Sequence, residues 1–167
     1  MANAGIITVE LNERALNRVL ADVRSRCPAV AQATTRAAGL AVVGEIARSL
    51  NGEEAGYPVP KRIDTGRYRA AWNAGVTRAT GLGVGSTPVT PKPNNRPEPG
   101  DGEGAMRSAG LFSSLYVRNN VRYGPYIEYG TKRMRPGGHL ARALHVVKGQ
   151  LPKIARALLK RHLGTRR

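Results

Sequence analysis

Few residues in this chain have the types and spacing that covalent or acid–base chemistry needs. The three histidines are His139, His145 and His162. They form no HExxH and no pair at three- or four-residue spacing, so a zinc site lacks its ligand pattern. Histidines on the last predicted helix are expected at its surface. The single cysteine, Cys27, precedes Pro28 and has no histidine beside it, so it reads as a passive thiol. One cysteine also excludes a disulfide scaffold and a multi-cysteine metal centre. Gly81, Gly83 and Gly85 form a GxGxG run. They lack the GxGxxG of a dinucleotide turn and the Gly-Lys-Ser/Thr of a phosphate loop, and a twisted or bulged strand explains them better. Carboxylates beyond residue 56 number five: Asp64, Glu98, Asp101, Glu103 and Glu128. Three lie in a proline-rich segment. Of the other two, Asp64 reads as a helix cap and Glu128 as a partner for Arg or Tyr. No catalytic, cofactor-binding or metal-ligating residue is assigned, and an enzyme is not expected.

Charge and tyrosine carry more information. Lys and Arg total 27 against 11 Asp and Glu, a net charge of +16. Residues 1–56 are neutral, whereas residues 129–167 hold eleven basic side chains and no acidic one. Such asymmetry points to a polyanion or an acidic protein surface. Arg142, Lys148, Lys153, Arg156, Lys160 and Arg161 are the candidate basic surface. Tyr123, Tyr126 and Tyr129 lie close together beside Arg122. Aromatics beside arginines can stack bases and meet phosphates. They are equally the anchors of protein interfaces. Without a ribonucleoprotein signature or GXXG clamp, the interface reading is preferred. A basic nucleic-acid-binding protein remains the alternative.

The elements that position these residues follow from periodicity. A chain of 167 residues suits one domain, 1–167. No apolar run reaches the ~18 residues of a membrane span, and the N-terminus has no signal-peptide pattern. Residues 6–9 read as a strand and 12–26 as a helix with apolar Leu16, Val19, Leu20 and Val23. Pro28 predicts a break, followed by a second helix over 29–50. Asp64-Thr65-Gly66 caps a short helix carrying Trp72, a core anchor. Loose alternation predicts a strand over 76–86. Residues 87–104, with five prolines, read as an exposed loop or arm that orders only against a partner. Residues 111–121 form the best strand, with Leu115 and Val117 on one face and Tyr116 and Arg118 on the other. A final helix spans 139–163, kinked or divided at Gly149 and Pro152. The fold class is α+β: long N-terminal helices, a small, mostly antiparallel sheet and a C-terminal helix packed on it.

Two segments resemble a known family. Ile63-Asp64-Thr65-Gly66-Arg67-Tyr68-Arg69 precedes, by some fifty residues, Asn119-Asn120-Val121-Arg122-Tyr123-Gly124-Pro125-Tyr126-Ile127-Glu128-Tyr129-Gly130-Thr131. Together they resemble the tail-completion or neck proteins of long-tailed bacteriophages. In that family V/I-D-T-G-x-L-R is followed by N-x-V-x-Y-A-x-Y-x-E-x-G-T, an Arg-Pro loop and a C-terminal helix. Tyr68 replaces an aliphatic residue, and Gly137-Gly138 replace the usual residues after Pro136. The resemblance implies a non-enzymatic virion component at the head–tail junction or proximal tail, assembled in the host cytoplasm. It implies a homo-oligomeric ring, six-fold like such tails, meeting other neck, tail-tube or portal-associated proteins. For the basic C-terminal helix two partners are then open: transient contact with genomic DNA in the ring lumen, or an acidic portal, adaptor or tail-tube surface. Asp64, Thr65, Gly66, Arg67, Arg69, Tyr123, Tyr126, Glu128 and Tyr129 are then expected at subunit or partner contacts. No cofactor and no membrane enter this picture.

Overall fold

The computed structural model describes residues 13–51, 66–84 and 98–164. The elements in order are helix α1 (Glu13–Leu50), helix α2 (Gly66–Thr80), strands β1 (Gly102–Ala109) and β2 (Phe112–Asn119), the short helix α3 (Gly124–Tyr129) and helix α4 (His139–Leu163). This is the expected α+β class, with one two-stranded antiparallel sheet. The strand expected over residues 6–9 lies outside the described residues.

Three expectations are corrected. Residues 13–50 form one helix, with Pro28 inside it, rather than two. Proline costs a helix its own N–H and crowds the carbonyl one turn back. That carbonyl belongs to Arg24, an exposed residue. Residues 76–80, expected as strand, complete α2. The residues that decide are Tyr68, Ala71, Trp72, Gly75 and Val76, buried at helical steps. Gly81 then ends the helix at φ 72°, where a left-handed residue needs no Cβ. Finally, the arm expected over 87–104 is ordered at its end. Residues 98–104 are folded, Asp101 is buried and Gly102 opens β1.

α1 and α4 run antiparallel. Near one end Arg26 Nη1 donates to the His162 carbonyl at 3.1 Å. Near the other, Ser49 Oγ meets His139 Nδ1 at 2.7 Å. The division of the last helix expected at Gly149 and Pro152 is also corrected: α4 is one helix through both, and its main packing partner is α1.

The sheet is a hairpin with Glu103 opposite Arg118 and Ala105 opposite Tyr116. Gly110, at φ 56°, takes the first central position of its two-residue turn, as a type II′ turn requires. The inner face presents Met106, Leu115 and Val117, each half-buried. Leu115 sits over Gly39 of α1, where a Cβ would strike its side chain. β1 lies against the backbone of α2: a Cβ on Gly104 would strike the Gly75 carbonyl, and one on Gly102 the Ala71 carbonyl. The core joins α1 (Val43, Ile46, Leu50), α2 (Tyr68, Ala71, Trp72, Val76), Val121, Ile127 of α3 and Ala143 of α4. Trp72 is the expected anchor. It meets Tyr68 edge-on, with ring centroids 6.1 Å apart.

Candidate interaction surfaces

The first motif opens α2, whose helical splay sends Arg67, Tyr68 and Arg69 in three directions. Asp64 and Thr65 lie outside the described residues, and Gly66 is the first residue of the helix. Arg67 grips Asp101 with two bonds, Nε to Oδ2 at 2.7 Å and Nη2 to Oδ1 at 2.9 Å. Its Nη1 donates to Glu98 Oε1 at 2.6 Å. The Asp101 side chain is only 9% exposed, and it also accepts the Glu98 N–H at 2.7 Å. The fork fits a carboxylate in both geometry and charge. It ties the start of α2 to the segment entering β1. Arg69 Nη1 donates to Asn51 Oδ1 at 2.8 Å, just past the end of α1.

The hydrogen bond from Arg67 holds the Asp101 carboxyl below its ordinary pKa, and Asp101 in turn raises that of the guanidinium. A depressed carboxylate stabilises the fold above its unfolded pKa of about 3.9, and that contribution is lost as pH falls through the lower folded value. Arg67→Met should therefore be less stable than the parent at neutral pH. The gap should close progressively below about pH 4, as read by urea unfolding across pH. A gap that is constant with pH would contradict this coupling.

Tyr68 points inward. Its hydroxyl donates to Glu128 Oε1 at 2.7 Å. Burial, reinforced by that carboxylate, pushes the Tyr68 phenol well above its ordinary pKa, so it stays a donor. Glu128 also accepts the Leu140 N–H at 3.1 Å on Oε2. That N–H is one of the donors left free at the start of α4. Glu128 therefore joins α2, α3 and α4 within one subunit.

The second motif is a bend followed by α3. Asn119 Nδ2 donates to the Tyr68 carbonyl at 2.8 Å and Asn119 Oδ1 accepts the Val121 N–H at 3.1 Å. Gly124 lies on the Tyr68 ring, with 2.9 Å between a built Cβ and Cε2. Tyr123 is half-buried against the core, and Ile127 is buried. Tyr126 and Tyr129 face outward, the latter 82% exposed. The residues after α3 fold back: the Gly137 N–H bonds the Ile127 carbonyl and the Gly138 N–H the Glu128 carbonyl.

Reading the sequence missed the outermost apolar site. Leu111 and Phe112 stand at the hairpin tip, Phe112 83% exposed, with Tyr116 beyond them on the outer sheet face. The available signal was Ala109-Gly110-Leu111-Phe112, a Gly-X pair between alternating segments. His139 is corrected from a surface position to a fully buried one. Of the basic residues, Lys148, Lys153, Arg156, Lys160 and Arg161 are exposed. Arg142 is half-buried, near the Gly137 carbonyl.

Among the described residues, no three His, Cys, Asp or Glu side chains group to hold a metal ion. Among them also, no helix is long and apolar enough to cross a membrane. Neither a protein-family model, nor a curated protein, nor a solved structure matches this chain.

Proposed function

We propose that this chain is a non-enzymatic structural subunit of a tailed-phage virion, forming a ring at the neck or head-proximal end of the tail. The observation that carries the reading is the division of labour within the two motifs. Arg67, Tyr68 and Glu128 lock the subunit internally, whereas Tyr126 and Tyr129 stay outside it together with Leu111 and Phe112. Large exposed aromatics at two separated places are the anchors a head-to-tail contact uses, and such contacts close into a ring when the rotation closes. The two motifs also meet through the backbone, Asn119 Nδ2 donating to the carbonyl of residue 68, a contact that an aliphatic residue there would equally offer, and this supports reading them as one signature.

The test is mass by light scattering across concentration and salt, with negative-stain images of the same sample. Discrete rings, six-fold by the resemblance, are expected. Phe112→Ser with Tyr129→Ser should leave a folded monomer with unchanged secondary structure. The basic nucleic-acid-binding reading draws on the exposed charge of α4. It prevails if the protein stays monomeric and binds random duplex DNA tightly at physiological salt.

A further inference from the structure

α4 has two apolar stripes, and the described fold covers one. Leu140, Ala143, Val147, Ile154 and Leu158 are buried or half-buried on its inner side. Beside them run Leu144, Leu151 and Leu159, exposed by 52%, 41% and 38%. At 3.6 residues per turn the step of seven brings Leu151 back to within about 20° of Leu144, and the step of eight turns Leu159 about 80° toward the lysine side, so the row slants across the helix with Lys148 and Ala155 between. On the side away from the buried face stand Lys153, Arg156 and Lys160, all exposed. No acidic residue occurs anywhere in α4.

We infer that this stripe is the docking seam for an acidic amphipathic helix of a different protein. A slanting row of leucines takes the ridge of a second helix that crosses α4 at an angle. The basic flank selects a partner helix bordered by Glu and Asp. Three other occupants fit less well. A second copy of α4 would set like charges against each other. Duplex DNA would use the charges and leave the leucines idle. An anionic bilayer takes up a broad apolar face, whereas this stripe is one residue wide, interrupted by Lys148, and the rest of the apolar face is held by α1. The inference goes beyond the virion reading and does not require a ring, so a failed ring assay leaves the following result standing.

The experiment uses the full chain and two labelled three-heptad peptides of identical composition, rich in Leu and Glu. One has its leucines in a single stripe and the other has them scattered. Fluorescence anisotropy at physiological salt should show the striped peptide binding at least about 10-fold tighter, the equivalent of ~1.4 kcal/mol. Leu151→Gln with Leu159→Gln should remove that preference while the chain stays folded with unchanged secondary structure, thermal unfolding moving only by the apolar area those side chains lose. Lys148→Glu with Lys153→Glu should weaken both peptides. Equal binding of the two peptides overturns the proposal. So does tighter binding of random duplex DNA or anionic phosphatidylserine vesicles that ignores the leucine variants. A change in the chain's own mass on substituting the leucines would instead assign the stripe to a second copy.

Discussion

Glu128→Ala should lower stability by about 3 kcal/mol, read as the loss in urea-unfolding free energy. Two separate costs add. The Tyr68 hydroxyl, on one of the most deeply buried side chains, loses its acceptor. An unpartnered buried donor costs roughly 1–3 kcal/mol. The start of α4 loses the carboxylate that receives the Leu140 N–H, comparable to losing a cap at about 1 kcal/mol. Tyr68→Phe removes only the first bond, together with its donor, and should cost about 1 kcal/mol. Glu128→Gln keeps an acceptor for either group and should fall between the two. If Glu128→Ala unfolds no more easily than Tyr68→Phe, the bond to α4 contributes nothing. One consequence bears on assembly: a ring lost in a Glu128 variant reports on subunit folding. The proposed interface is better probed at Tyr129 and Phe112.

Gly104→Ala should be equally damaging for a different reason. The added methyl meets the carbonyl and carbonyl carbon of Gly75 and the side chain of Ala79. Overpacking that displaces only side chains costs about 1–3 kcal/mol. Here the obstacle is helix backbone, which cannot rotate away, so a loss of about 3 kcal/mol or more is expected. Gly110→Ala at the open turn is a useful contrast. Nothing lies within 4 Å of its Cβ, and its cost comes from φ 56° alone, roughly 1–2 kcal/mol. Thermal unfolding of the two variants should rank Gly104→Ala well below Gly110→Ala. The reverse order would mean that β1 can lift from α2 without consequence.

Much of the frame was legible because the signals were long. α4 was visible as apolar steps over 25 residues, and β2 as clean alternation from Leu115 to Arg118. Short signals misled. The alternation of Val76, Arg78, Leu82 and Val84 imitated a strand, while the true period lay in Tyr68, Ala71, Trp72, Gly75 and Val76, two of them small and easily overlooked. Pro28 argued for a break because sequence does not reveal that the residue whose carbonyl it orphans, Arg24, lies at the surface. Asp101 was hidden in a segment whose composition reads as solvated, and its value lies in a partner 34 positions away. The two departures from the pattern the sequence resembles are informative in the same way. Tyr68 supplies the hydroxyl that meets Glu128. Gly137 is held where a Cβ would strike the Ile127 carbonyl and His139, and Gly138 takes φ 59° just before α4.

The contacts at both ends of the α1–α4 pair have an entropic consequence. Arg26 holds the end of α4 and Ser49 holds its start, so the helix is formed and tied to α1 at both ends before anything meets it. A partner lying along it orders little backbone on this side and freezes side-chain rotamers, those of the three leucines as well as the lysines and arginines, at roughly 0.5–1.5 kcal/mol for each rotamer-rich side chain. Loosening either end, by Arg26→Ala for example, would transfer part of helix formation into the binding step, and affinity would fall although no contacting residue had changed.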